Sequence, residues 1–125
     1  MQLGYVIVYV EDVGRALDFY KQAFGLVARF THESGMYGEL DTGSTVLAFA
    51  QLGMLKMNTG LVADQRPCNS FEIALVTSDV DAALERALAA GAEQLAAPAD
   101  KPWGQRVGYV RDPFGVIVEI CTSVS

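Results

Sequence analysis

The sequence is poor in the residues on which metal and nucleophile chemistry most often relies. It has one histidine and two cysteines in 125 residues. Cys68 and Cys121 stand apart with no CxxC pairing, so no disulfide framework is expected, and a cytoplasmic protein with reduced thiols is the plain reading. His32 lies in the turn-like stretch HESG. It reads as a solvated turn residue, and no Ser, His and Asp trio is built on it. A phosphate-cradling GxxxxGK loop is absent. No apolar run approaches the roughly 20 residues needed to span a bilayer. The start, MQLGYVIVYVED, has neither a basic opening nor a small-residue cleavage site, so no secretion signal is expected. Basic residues are scarce as well. Nine Lys and Arg face fifteen Asp and Glu, giving a net charge of −6 and a pI near 4.6. That balance argues against nucleic acid as a partner and is compatible with a cationic or neutral ligand.

What is abundant is apolar. Hydrophobic residues make up 51% of the chain, enough for one folded domain with a real core. Tyr5 to Val10 is a β-branched and aromatic run that reads as a buried strand. Asp12 offers a helix cap. Val13, Ala16, Leu17, Tyr20 and Phe24 follow at helical spacing, and Gly25 supplies the stop. Strands are expected at Val27 to Thr31, Tyr37 to Leu40 and Thr45 to Gln51, with Asp41-Thr42-Gly43-Ser44 turning between the last two.

The same order then returns. Phe71 to Val76 is apolar with one charge. Asp79 caps a helix with Val80, Ala83, Leu84, Ala87 and Leu88 on one face, and Gly91 ends it. Short strands are expected near Glu93 to Ala96, Arg106 to Val110 and Val116 to Cys121. At the offset between Asp12 and Asp79, Val13 meets Val80, Ala16 meets Ala83 and Leu17 meets Leu84. The chain is thus a two-copy βαβββ repeat, the first module about 1–51 and the second about 71–125. Residues 52–70 join them. They are long for a structureless loop and read either as a linker or as a lid, with Met54 and Met57 giving adaptable apolar contacts.

Within YVRDPFGVIVEIC, Glu119 sits among Val116, Ile117, Val118, Ile120 and Cys121. A carboxylate is costly to bury in such a run unless something pairs with it. Strand alternation sends Glu119 to the face opposite Val118 and Ile120.

These pieces resemble the vicinal oxygen chelate superfamily, which includes glyoxalase I, extradiol dioxygenases, fosfomycin-resistance enzymes and bleomycin-binding resistance proteins. The matching stretches are VIVYVEDVGRALDFYKQAFGL, ALVTSDVDAALERALAAGA and GYVRDPFGVIVEI. The resemblance implies an α+β fold whose two βαβββ modules form a cupped mixed β-sheet with helices on the outside. It also implies four inward metal positions, usually His, Gln or Glu. They fall here on Tyr5, Glu72 and Glu119, and on Ala48 or Leu47 according to whether the turns are aligned by aspartate or by glycine. Two carboxylates and no histidine occupy that set. Zinc and iron sites normally take three or four N, O or S ligands with imidazole prominent, whereas two glutamates and water suit at most weakly bound Mg²⁺ or Mn²⁺.

The ligand-binding candidates are therefore Tyr5, Glu72, Trp103, Tyr109 and Glu119. Glu72 and Glu119 are expected to face one cavity, where like charges raise one pKa or demand a counter-cation. Tyr5 either hydrogen-bonds there or fills the space of a metal. The resemblance gives Tyr109 the place of a substrate-contacting tyrosine. Trp103, in KPWGQ, offers an aromatic face for a cation or planar ring. Cys121 shares the face of Glu119 and reads as a small hydrophobe.

Three functions follow. The first is a small-molecule binding protein resembling the bleomycin-type members, with no metal or other cofactor and a cationic or aromatic ligand. The second is a metal-dependent lyase, isomerase or dioxygenase using Glu72 and Glu119. The third is a non-catalytic interaction module that kept the fold. The resemblance also implies a homodimer, while the acidic charge and the lack of a long apolar run argue against a nucleic-acid or membrane partner.

Overall fold

Alternation shapes the first strand. In Tyr5–Val10 (β1), Val8 and Val10 are buried while Tyr5 and Ile7 are exposed, so one face meets a core and the other does not. Asp12 then caps the first helix, its Oδ1 accepting from the Arg15 amide at 3.0 Å. Helix α1, Val13–Phe24, ends at Gly25, whose φ of 70° is the left-handed conformation that favours glycine. Ala28–Thr31 (β2), Tyr37–Leu40 (β3) and Val46–Gln51 (β4) complete the first sheet, in the order β1-β4-β3-β2, with β1 parallel to β4 and the other pairs antiparallel. Helix α1 packs on one face, where fully buried Tyr20 lies 5.1 Å from the Phe49 ring.

The structure, a computed structural model, describes residues 1–64 and 69–124, so Cys68 lies outside the described residues. The chain divides into two compact units, Met1–Gln65 and Arg66–Ser125. The boundary falls within the joining segment 52–70. That segment also contains a short helix, Gly53–Thr59 (α2), which buries none of its residues and stops at Gly60.

The second unit repeats the plan with Glu72–Val76 (β5), Val80–Ala89 (α3), Glu93–Asp100 (β6), Arg106–Arg111 (β7) and Ile117–Cys121 (β8). Asp79 caps α3 through the Ala82 amide at 3.1 Å. The sheet order is β5-β8-β7-β6, again with the first pair parallel and the rest antiparallel. The fold is α+β, with one βαβββ arrangement in each unit.

One strand is longer than its sequence suggests. β6 continues past Ala96 to Asp100 with two register shifts against β7, the second of which, between Ala96 and Ala99, spans Pro98. Bulges let a strand keep pairing around a residue with no amide proton. The Arg106 guanidinium then holds the end of β6 through Asp100 at 3.1 Å and the start of α3 through Asp81 at 2.7 Å.

Candidate functional site

The open face of the second sheet carries the acidic pair. In register, Glu119 on β8 lies between Ala74 of β5 and Tyr109 of β7. Glu72, two residues before Ala74, shares that face. The Glu72 and Glu119 carboxyls are near enough for a hydrogen bond between them in the protonated form of Glu72. Burial first, then that hydrogen bond and the Glu119 charge, push the Glu72 pKa above the usual carboxylate range. Tyr109 is pushed up as well, by burial and then by the charges of Glu119 and Glu72. Burial and Glu119 raise the Cys121 thiol in the same way, so it stays protonated and poorly nucleophilic.

A cavity of about 540 Å³ opens on this face. Its wall runs from Asn69, Ser70 and Phe71 over Glu72 and Ile117 to Tyr109, and on to Leu95 and Ala96. Glu119 does not line it, but its hydrogen-bond partner Glu72 and its cross-strand partner Tyr109 do. Arg111 fixes one side. Its guanidinium donates to the Asn69 Oδ1 at 2.8 Å and to the Gly115 carbonyl at 2.9 Å, tying the approach to β5 to the turn between β7 and β8. That turn is held by Asp112, whose buried Oδ1 accepts from the Phe114 and Val116 amides at 2.9 and 2.8 Å.

Trp103 lies elsewhere on the second unit. Glu72 pairs with Ile117, opposite Arg111 at one end of β7, whereas Trp103 precedes Arg106 at the other end. Its indole N–H donates to the Gln105 Oε1 at 2.7 Å, and the ring is largely exposed. It does not line the cavity.

Tyr5 belongs to a polar cluster in the first unit. There the Tyr37 hydroxyl donates to the Glu39 Oε2 at 2.8 Å, and the Arg29 Nε lies 3.3 Å from the other carboxylate oxygen. Glu39 is one of two buried polar or charged side chains among the described residues, the other being Asp112. Burial, the bond to Glu39 and its charge, with a smaller contribution from Tyr5, push the Tyr37 pKa up to about 12. Ala48 is fully buried and pairs across strands with both Ile7 and Glu39. Ile7 and Ala74 each precede their capping aspartate by five residues, so Ala48, not Leu47, is the counterpart of Glu119.

Sequence reasoning passed over Glu39, Tyr37 and Arg29 as site residues. The available signal was the Tyr37-Gly38-Glu39 spacing, which puts two polar groups on one face of a strand.

The sequence family described as the Glyoxalase/Bleomycin resistance protein/Dioxygenase superfamily matches residues 2–120. The chain belongs to this superfamily. An uncharacterised protein of Mycobacterium bovis is 34% identical over 112 residues, covering 85% of this chain and 73% of that one. An uncharacterised protein of Mycobacterium tuberculosis H37Rv matches equally, and the chain spans 65% of its length. Among solved structures, a glyoxalase-related enzyme from Fulvimarina pelagi aligns with a TM-score of 0.86 at 27% identity, over 98% of this chain and 88% of that one. A superfamily enzyme from Burkholderia phytofirmans PsJN aligns over both full chains with a TM-score of 0.82 at 22% identity, a likeness of fold alone.

Superfamily members that bind metal suggest a test of the residues present here. Of the four corresponding positions, Tyr5 is a phenol, Ala48 has no donor, and only Glu72 and Glu119 are carboxylates. Among the described residues no three His, Cys, Asp or Glu side chains group so as to hold a metal ion. This donor set does not fit a tight zinc, nickel or iron site. Also among the described residues, no helix is long and apolar enough to cross a membrane.

Proposed function

We propose that the protein binds a small molecule without the help of a metal ion, and that its ligand is cationic or aromatic. The observation that carries this reading is the pairing of Glu72 with Glu119 beside Tyr109, on the face where the cavity opens. Two neighbouring carboxyls, one of them with its ionisation made harder by the other, gain most from a cation, which favours the charged form of both. The tyrosine ring beside them adds a favourable surface for a cation or a planar ring. Binding needs no nucleophile and no general base, and the raised thiol of Cys121 offers none. As a superfamily member the protein is expected to work as a homodimer. The isolated cysteines fit a cytoplasmic protein with reduced thiols.

The test uses 1-methylquinolinium, a planar organic cation, titrated calorimetrically into the full chain, Glu119→Gln and Glu72→Gln. Each variant keeps the shape and removes a charge. Loss of one ion pair at a partly exposed site weakens binding by about tenfold, equivalent to ~1.4 kcal/mol. Unchanged affinity in both variants would refute the reading. Saturable Mn²⁺ binding that both variants abolish would instead favour a metal-dependent enzyme, because two carboxylates and water can hold such an ion.

A further inference from the structure

We propose that the first unit carries a ligand subsite of its own, in which the Tyr37 hydroxyl serves only as a hydrogen-bond acceptor and selects a neutral planar ring bearing an N–H donor. The inference rests on the reading of the protein as a small-molecule binder. A tyrosine hydroxyl has one proton to give and lone pairs to receive with. Here the proton is committed to the Glu39 Oε2 at 2.8 Å. Glu39 is itself held, because it is buried and the Arg29 Nε lies 3.3 Å from its other oxygen. Charge-assisted bonds of this kind are stronger than neutral ones. The hydroxyl therefore has a fixed polarity: with its proton committed, it can only accept from a further group.

The surroundings narrow the ligand further. Phe30 lies 6.3 Å from the Tyr37 ring, with the ring planes at 54°. Phe30 is 47% exposed and Tyr5, which acts electrostatically on Tyr37, is 56% exposed. Two partly open aromatic rings beside a fixed acceptor form a surface for a flat ring with a donor on its edge. Charge separates this subsite from the acidic pair of the second unit. Arg29 and Glu39 cancel, so a cation gains nothing here that it does not lose to the guanidinium. The subsite favours an uncharged ring, while Glu72 and Glu119 favour a cation.

Indole and 1-methylindole test this directly. Both are flat and neutral, and they differ in that a methyl group replaces the N–H hydrogen, with Tyr37→Phe separating the lost donor from the added bulk. Each is titrated into the ¹⁵N-labelled full chain and followed by the amide signals of Phe30, Tyr37 and Glu39. Indole is expected to shift these signals and to bind about fivefold more tightly than 1-methylindole, the discrimination of one ordinary hydrogen bond. Tyr37→Phe keeps the ring, deletes the acceptor and is expected to erase that difference. A purely structural Tyr37 would lower the melting temperature and leave the ratio intact. Equal affinity of the two probes, no shift in the first unit, or an unchanged ratio in Tyr37→Phe would each overturn the proposal. Because the probes carry no charge and the signals belong to the first unit, failure here is distinct from failure of the 1-methylquinolinium test.

Discussion

Gly108 lies directly against Leu84. A Cβ built on Gly108 would stand 2.8 Å from the Leu84 Cδ1, and Gly38 in the first unit meets the Leu17 Cδ1 at 2.7 Å in the same way. Leu17 and Leu84 are equivalent positions of the two helices, and both are buried. The repeat thus preserves a close approach between the third strand of each sheet and its helix. Gly108→Ala and Gly38→Ala should each destabilise by about 1–2 kcal/mol, since overpacking outweighs the smaller gain from restricting the unfolded chain. Denaturant melts check this. Gly108→Ala should cost less in a Leu84→Ala background, where the clash is gone, and a cost unchanged by that background would show the two residues to be uncoupled.

Asp112 holds the turn between β7 and β8. Its Oδ1 serves two amides, one of them on buried Val116. Asp112→Ala leaves both donors without that acceptor and should cost about 2–4 kcal/mol. A change in unfolding free energy below about 1 kcal/mol would mean that water replaces the carboxylate.

The acidic pair predicts a pH dependence. Glu72 has a folded pKa above its ordinary value of 4.5, through burial and then its bond to Glu119. The folded protein therefore holds this proton more tightly than the unfolded chain does. The resulting stability is fully present below pH 4.5 and is lost as pH rises through the folded value. Glu72→Gln removes this dependence, so the variant should gain on the parent protein as pH rises above 4.5. Denaturation midpoints from pH 4 to 8 measure it, and parallel profiles for the two proteins would contradict the raised Glu72 pKa.

Metal content follows from the donor set. Purified protein should carry no stoichiometric Zn²⁺, Ni²⁺ or Fe, because tight sites for these ions need at least three protein ligands. Elemental analysis showing about one such ion per chain would refute this.

Much of the fold was legible because its signals are local. Asp12 and Asp79 cap helices through amides three residues on, and the apolar spacing behind them needs no long-range contact. The same holds for the turn at Asp112. Helix α2 was not legible, since a short helix that buries no residue leaves no apolar face in the sequence. The extension of β6 was hidden by Pro98, which reads as a strand end until the bulges are seen. The Arg29, Tyr37 and Glu39 cluster depends on pairing between β2 and β3, and only Tyr37 and Glu39 are neighbours along one strand. The position of Trp103 was equally a matter of register. Its distance along the chain from Glu119 does not say that it sits at the opposite end of β7 from Glu72.

The bulged strand β6 also bears on how the protein behaves at high concentration. An open sheet edge is a template on which further strands can add, and growth needs a regular row of free amides and carbonyls. β6 forms one edge of the second sheet. Its two register shifts break that row, Pro98 removes an amide from it, and Glu93 and Asp100 place like charges along it. A strand from another molecule would find no continuous ladder there. β5, at the other edge, is regular, has no proline and exposes Val76. Unwanted strand addition to this sheet, and the charged substitutions that would suppress it, therefore belong on β5.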